Sequence, residues 1–274
     1  MKVSLDGTLL LAGAGKMGGA MLSGWLIRDL DPQQIIVQDP GPPPEVVELV
    51  ERHGIRFSAE TAPLDQPPAV ILVAVKPQVM GDVFPQLAKL AGPKTLILSV
   101  AAGKTVASFE KYLPAGTAVI RTIPNTPAAI GRGITVCFAN AHVTDAQRAT
   151  CQSLLSAIGE VAWVDKEELI DAATAVSGSG PAYVFLLAEC LAEAGRAVGL
   201  TPEVARQLAD ATVSGAGELL NQSHLDAATL RKNVTSPNGT TAAALSVLMA
   251  GDGLQPLLTK AVQAAEKRSR ELSA

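Results

Sequence analysis

Two segments far apart in the 274-residue chain carry residue types that can bind anions. The first, Gly13-Ala14-Gly15-Lys16-Met17-Gly18, follows the apolar run Thr8 to Ala12 and opens a helical pattern carrying Met21, Leu22, Trp25 and Leu26. A GxGxxG loop between a strand and a helix is a dinucleotide fingerprint. Gly13 permits the tight turn, Gly15 lets a pyrophosphate reach the backbone, and Gly18 allows the helix to pack closely on the strand. Ala12, Ala14, Lys16 and Met17 complete the same candidate contact set. A glycine loop that binds nothing stays open as the alternative. The second segment, Asn233-Val234-Thr235-Ser236-Pro237-Asn238-Gly239-Thr240-Thr241, sets hydroxyls and a Pro-Asn-Gly turn before the apolar helix Ala242 to Ala250. The first N–H groups of a helix have no intrahelical partner and sit at the positive end of its dipole, so they can hold a carboxylate without an arginine. Ser, Thr, Asn and Gly are also ordinary capping residues, so a plain N-cap is the competing reading.

Further positions point toward a cofactor. The second apolar run ends Ile35-Ile36-Val37-Gln38-Asp39, which places a carboxylate about twenty residues beyond the glycines, where such folds bind the adenine ribose hydroxyls. Asp39 would repel a 2′-phosphate, and no Lys or Arg lies between Asp29 and Glu51 to compensate. A charge pair at about 4 Å is worth roughly 1 kcal/mol in water and roughly 4 kcal/mol near a protein surface. The local chemistry therefore leans toward NADH over NADPH, unless Asp39 merely opens the turn Asp39-Pro40-Gly41. Ala74-Val75-Lys76-Pro77 and Val100-Ala101-Ala102 stand at the carboxyl ends of two further runs, where ligands bind in open α/β sheets. Lys76 is read equally as a catalytic acid, a phosphate contact or a solvent-facing side chain.

The elements that must position these residues follow from the pattern. Short runs, most of them rich in β-branched residues, at Thr8 to Ala12, Ile35 to Gln38, Arg56 to Ser58, Val70 to Ala74, Thr95 to Ser99, Ala118 to Thr122, Ile134 to Phe138 and Val161 to Val164 read as strands. Helices are expected at Met17 to Arg28, Pro44 to His53, Thr105 to Leu113 and Thr144 to Ile158, and after a turn from about Phe84, since Gly81 and Pro85 interrupt one continuous helix. The alternation predicts a doubly wound, mostly parallel α/β sheet of Rossmann type over residues 1–165. From Glu167 only helices are expected: Glu167 to Ala175, Pro181 to Val198, Pro202 to Asn221, Leu225 to Asn233, Thr240 to Ala250 and Leu254 to Leu272. Residues 166–274 thus form an all-α domain.

Composition narrows the class. Hydrophobic residues make up 48% of the chain and aromatics 3%, so the core is built from Ala, Val, Leu and Ile. With 22 basic against 26 acidic residues, a net charge of −4 and no basic stripe, nucleic acid is not an expected partner. The start, Met1 to Ala20, carries Asp6 and Lys16 about a short apolar run and reads as mature protein, in a cytoplasmic setting. The uncharged stretches between Asp171 and Glu189 and between Lys232 and Asp252 are interrupted by Gly, Pro, Ser or Asn; both are expected to be buried, and neither to span a membrane. Cys137, Cys151 and Cys190 lack CxxC spacing and are expected to be reduced, buried and inert, and the three histidines form no ligand pattern, so no metal site is expected.

Five motifs together resemble pyrroline-5-carboxylate reductase over essentially the whole chain. They are Gly13 to Gly18, Ala74-Val75-Lys76-Pro77, Arg121-Thr122-Ile123-Pro124-Asn125-Thr126-Pro127, Ser177-Gly178-Ser179-Gly180-Pro181-Ala182-Tyr183 and Ser236-Pro237-Asn238-Gly239-Thr240-Thr241. The family usually has glycine where Asn238 stands; Asn tolerates left-handed backbone, so the loop is expected to survive. The resemblance implies hydride transfer from NAD(P)H to the C=N carbon of 1-pyrroline-5-carboxylate, giving L-proline. It implies that Ser236, Gly239, Thr240 and Thr241 hold the substrate carboxylate. Thr241 would lie beside the ring nitrogen as hydrogen-bond partner or proton donor, and Asn233 would border both ligands. It also implies that the helices from Pro181 onward interlock two subunits, with a ring of dimers, a decamer, as the larger assembly. Two other readings keep the same first half: a β-hydroxyacid dehydrogenase, disfavoured because no lysine lies between Lys166 and Lys232, and a protein that senses NAD(H) without turnover.

Overall fold

A strand covered on both faces reads as a continuous aliphatic run, and this sheet is built largely of such runs. In the computed structural model the strands are β1 (Leu9–Ala12), β2 (Ile35–Gln38), β3 (Arg56–Ser58), β4 (Val70–Val73), β5 (Leu96–Ser99), β6 (Ala118–Ile123), β7 (Gly133–Ala139) and β8 (Gly159–Trp163). The structure describes residues 3 and 5–273; Met1, Lys2, Ser4 and Ala274, which fall at the ends of the two expected domains, lie outside the described residues. Every residue of β1, β2, β4, β5 and β6 is buried. The strand order is β3-β2-β1-β4-β5-β6-β7-β8, all neighbours parallel except β6 and β7. The order reverses between β1 and β4, so a crevice opens there at the carboxyl ends of the strands.

Side chains alternate across the sheet and build two cores. Leu9, Leu11, Val37, Leu72 and Leu98 face one side with Trp25, whereas Leu10, Ile36, Ile71, Ile97 and Val119 face the other with Phe84 and Phe109. The covering helices are α1 (Lys16–Ile27), α2 (Pro44–His53), α3 (Met80–Ala88), α4 (Val106–Glu110), α5 (Asp145–Leu155) and α6 (Leu169–Ala173). The expectation of a helix from about Phe84 is corrected, because α3 begins at Met80 and carries Pro85 inside it. Met80, Phe84, Leu87 and Ala88 are all buried on one helical face, and Phe84 meets Phe109 edge-on at 4.8 Å. Burial of that face outweighs the single backbone bond that Pro85 removes. Other ends move by a few residues. α4 stops at Glu110, α5 gives way to a 3₁₀ turn over Ser156–Ile158, and α6 passes into a π-helical turn over Thr174–Gly178.

The chain divides into two compact units, Met1–Gly178 with Glu266–Ala274, and Ser179–Ala265. The second holds α7 (Gly180–Ala197), α8 (Pro202–Gln222), α9 (Ala227–Asn233), α10 (Thr240–Leu248) and most of α11 (Leu254–Ser273). α7 and α8 pack together with Gly195 against the buried Ala205, where small side chains permit close approach. The expectation that the two uncharged stretches are buried is corrected for the single chain. Phe185 and Leu186 on α7 are 62% and 56% exposed, and Val247 on α10 is 70% exposed. Among the described residues these side chains stand exposed, and an apolar face of this kind marks an interaction surface. By length and composition one helical run among the described residues, Leu169–Ala197, could cross a bilayer; Gly178, Gly180 and Pro181 lie within it. Cys190 on α7 is exposed, contrary to expectation, while Cys137 and Cys151 are buried in the sheet unit. Burial, then a hydrogen bond shared with Cys137, pushes the Cys151 thiol above the usual range.

Candidate active site

The glycine loop joins β1 to α1 beside the strand-order reversal. Gly13 has φ +89°, and a Cβ there would lie 2.7 Å from the Ala74 carbonyl carbon and oxygen, so only glycine lets the β1 and β4 loops lie against each other. A Cβ on Gly18 would overlap the Gly13 carbonyl oxygen. Gly15 differs from both. It is the N-cap of α1 with no side-chain cap, and nothing lies within 4 Å of where its Cβ would stand. Open space over a helix start with free amides is the shape a pyrophosphate needs, and these residues fit a dinucleotide. Ala12, Gly13, Ala14 and Gly18 are buried, Met17 is half-buried, and Gly15 and Lys16 are exposed.

Asp39, half-buried just beyond β2, is held by two amides. Its Oδ2 accepts from the Ala14 N–H at 2.6 Å, and its Oδ1 accepts from the Gly41 N–H at 2.7 Å. The carboxylate therefore opens the Asp39-Pro40-Gly41 turn and reaches the glycine loop at once. An ionised carboxylate offers about four lone-pair directions, so capacity for ribose hydroxyls remains. Just before it, the buried Gln38 Oε1 has no hydrogen-bond partner among the described residues.

The other strand ends lie on the same carboxyl edge. Ala74 and Val75 are half-buried after β4, Pro77 is half-buried, and Lys76 is exposed. After β5, Val100 is half-buried, Ala101 buried and Ala102 exposed. The Ala101 N–H donates to Ser99 Oγ at 3.2 Å and the Val100 N–H to the Val73 carbonyl at 3.1 Å, which fixes the first turn of that loop.

In the helical unit, α9 leads directly into the hydroxyl-rich segment. Asp226 caps α9, and the Thr229 backbone N–H at 2.8 Å holds that carboxyl below its usual range. Asn233 is the last residue of α9 and is exposed. The Gly239 N–H then donates to the Ser236 carbonyl at 3.1 Å, and Asn238 has φ +59°. Proline second and a positive φ third describe a type II turn, so Asn238 adopts the left-handed backbone that glycine usually supplies. Gly239 caps α10, and its carbonyl accepts from the Ala243 N–H at 3.1 Å. The Thr240, Thr241 and Ala242 amides precede that first intrahelical bond and are free to bind. Among the described residues, the hydroxyls of Ser236, Thr240 and Thr241 have no hydrogen-bond partner, and Thr241 is half-buried. The helix start thus presents three amides and three hydroxyls with no competing carboxylate bonded to them.

Sequence reasoning missed the Ala14 amide as a partner of Asp39, and it missed an ion cluster built on the buried Arg121. Arg121 on β6, 3% exposed, donates to Glu167 Oε1 at 3.0 Å and faces Asp171 Oδ1 at 3.7 Å. A single arginine inside the aliphatic strand Ala118–Ile123 is the signal that could have found it. Among the described residues no group of His, Cys, Asp or Glu could hold a metal ion.

Comparison with known proteins adds the lineage. The family model for pyrroline-5-carboxylate reductase dimerisation matches residues 167–272, and that for NADP oxidoreductase, coenzyme F420-dependent, matches residues 8–103. The pyrroline-5-carboxylate reductase of Pseudomonas aeruginosa is 40% identical over 261 residues, covering 95% of each chain. That of Mycobacterium leprae is 38% identical and covers 96% of each. Among solved structures, a pyrroline-5-carboxylate reductase from Coxiella burnetii superposes with a TM-score of 0.92 at 34% identity, over 98% of this chain and 100% of that one. The Plasmodium falciparum pyrroline carboxylate reductase, with NADP bound, gives 0.80 at 26% identity, over 98% and 99%. With a glycine loop at the strand-order reversal, a helix start of free amides and hydroxyls, and this similarity along nearly its whole length, the chain belongs to the pyrroline-5-carboxylate reductase family.

Proposed function

We propose that this chain reduces the C=N bond of 1-pyrroline-5-carboxylate to give L-proline, with the α10 start as the substrate grip. The observation that carries the reading is the set of free amides and unpartnered hydroxyls from Ser236 to Ala242. Ser236, Gly239, Thr240 and the helix amides hold the carboxylate, and Asn233 borders it. Thr241 Oγ1 stands beside the ring nitrogen as hydrogen-bond partner or proton donor. A ring imine that is already protonated is electrophilic, so the site needs orientation more than a strong base, which suits a set without histidine or paired carboxylates. NAD(P)H, when bound, supplies the hydride.

On the cofactor side, Ala12 to Gly18 cradle the pyrophosphate, Asp39 takes the adenine ribose, and Ala74 to Pro77 with Val100 to Ala102 border the remainder. The carboxylate of Asp39 favours NADH. We take residues 1–165 as the dinucleotide-binding domain and 166–274 as the substrate-binding and dimerisation domain; the family model over 167–272 supports the latter. The exposed apolar faces of α7, α8, α10 and α11 fit a dimer, and a ring of such dimers in the cytoplasm is the proposed assembly.

The test is Thr241→Ala, assayed by NADH loss with 1-pyrroline-5-carboxylate. The expected result is a kcat lower by about ten-fold or more, about 1.4 kcal/mol, with NADH affinity kept. An unchanged kcat would remove Thr241 from the mechanism, and a chain that binds NADH but never consumes it would be a sensor instead.

A further inference from the structure

The loop from Val100 to Thr105 is fixed by polar groups at both ends, buried at its start and half-buried at its end. At its start the Ser99 carbonyl accepts from Thr122 Oγ1 at 2.9 Å, and Ser99 and Thr122 are 0% and 1% exposed. Farther along, Gly103 has φ +69° and stands against the last turn of α11; a Cβ there would lie 3.0 Å from the Leu272 carbonyl oxygen. At its end the Val106 N–H donates to Glu167 Oε1 at 2.8 Å. Glu167 in turn holds Arg121 Nη1 at 3.0 Å, and Arg121 Nη2 faces Asp171 Oδ1 at 3.7 Å and Ser273 Oγ at 3.5 Å. Ser269 Oγ, on α11, donates to the same Asp171 oxygen at 2.6 Å. One continuous chain therefore runs from Ser269 through Asp171, Arg121 and Glu167 to the first residue of α4. Arg121, Asp171 and Ser269 are buried, so each bond unmade among them is costly and a displacement at one end shifts the other.

We infer that the last two turns of α11 brace the cofactor loop after β5, with Ser269 as the positioning residue that sets Asp171 and, through Arg121 and Glu167, the end of that loop. The inference rests on the reading of Val100, Ala101 and Ala102 as cofactor contacts. Ser269 is 8% exposed and acts only through its neighbours.

Steady-state kinetics on the full-length enzyme, varying NADH and substrate separately, test it. Ser269→Ala is expected to raise the KM for NADH by about three- to ten-fold, with kcat and the KM for 1-pyrroline-5-carboxylate kept within about two-fold, because a small misplacement of a contact loop weakens the ligand it touches. Ser269→Thr, which keeps the hydroxyl, restores the value. Ala102→Tyr tests the underlying reading, since a large side chain on that exposed loop position obstructs a cofactor lying there. If Ala102→Tyr raises the KM for NADH and Ser269→Ala does not, the brace is overturned and the cofactor-loop reading stands. If Ala102→Tyr leaves that KM unchanged, the loop does not touch the cofactor, and the brace falls with that reading. A general loss of activity in Ser269→Ala that threonine does not restore also overturns the brace, because it marks a folding defect alone.

Discussion

Gly15→Ala separates what the glycine loop does in folding from what it does in binding. Gly15 has φ −65° and ψ −161°, backbone open to any residue, and its Cβ would meet nothing within 4 Å. Removing glycine's freedom from the unfolded chain stabilises by about 0.4–1 kcal/mol. Alanine is a poorer helix N-cap than glycine, which offsets a similar amount. The net change is within about 1 kcal/mol, or about 2–4 °C in Tm for a chain of this size. Binding is another matter. On the proposed cofactor placement the new methyl group fills the space between a pyrophosphate and the amides of α1, and a hydrogen bond to a charged group is worth about 1.5–3 kcal/mol. Loss of one such bond raises the KM for NADH by about ten- to one-hundred-fold. Thermal unfolding of the cofactor-free protein and NADH titration by fluorescence measure the two effects separately. Gly13→Ala provides the contrast, because its positive φ and the Ala74 carbonyl 2.7 Å away predict a folding failure. An unchanged NADH affinity in Gly15→Ala, at wild-type Tm, would refute the placement of the pyrophosphate.

Two further outcomes are expected, at Asp39 and at Asn238. Asp39→Ser removes both the charge facing a 2′-phosphate and the acceptor of the Ala14 N–H, so kcat/KM should fall by about ten-fold or more with NADH and by less with NADPH; a wild-type preference for NADPH of ten-fold or more in the same assay would contradict the role given to Asp39. Asn238→Ala should lose about 1 kcal/mol in urea unfolding through its left-handed backbone, whereas Asn238→Gly should keep both stability and substrate KM; equal stability of the two variants would show that the turn carries no strain at that position.

Legibility in the sequence varied with how local the cause was. The strand Ile35–Gln38 and the helix Pro44–His53 stand where local pattern alone puts them, because a continuous aliphatic run and an N-terminal proline are decided by neighbours in the chain. Pro85 misled for the converse reason: the pull on α3 comes from Phe109, on another element. The motif positions of the candidate site are legible too, as glycines with distinct tasks and hydroxyls before a helix. What the sequence does not carry is partnership at a distance. Nothing near Asp39 names the Ala14 amide, and nothing near Arg121 names Asp171. The exposed face of α7 reads as buried because composition records that Val184, Phe185 and Leu186 avoid water, not which chain shields them.

The return of residues 266–273 to the sheet unit has a consequence for the order of folding. Ser269 and Asp171 are 98 residues apart in sequence, and the whole helical unit lies between them. Closing so long a loop is a slow, entropically opposed event. During synthesis the strands through β8 and the helices through α10 emerge before the segment that completes the Arg121 cluster. The sheet unit therefore reaches its final state last, even though nearly all of it is made first. Mutations in α11 should for that reason slow the final step of refolding while leaving early sheet formation unchanged.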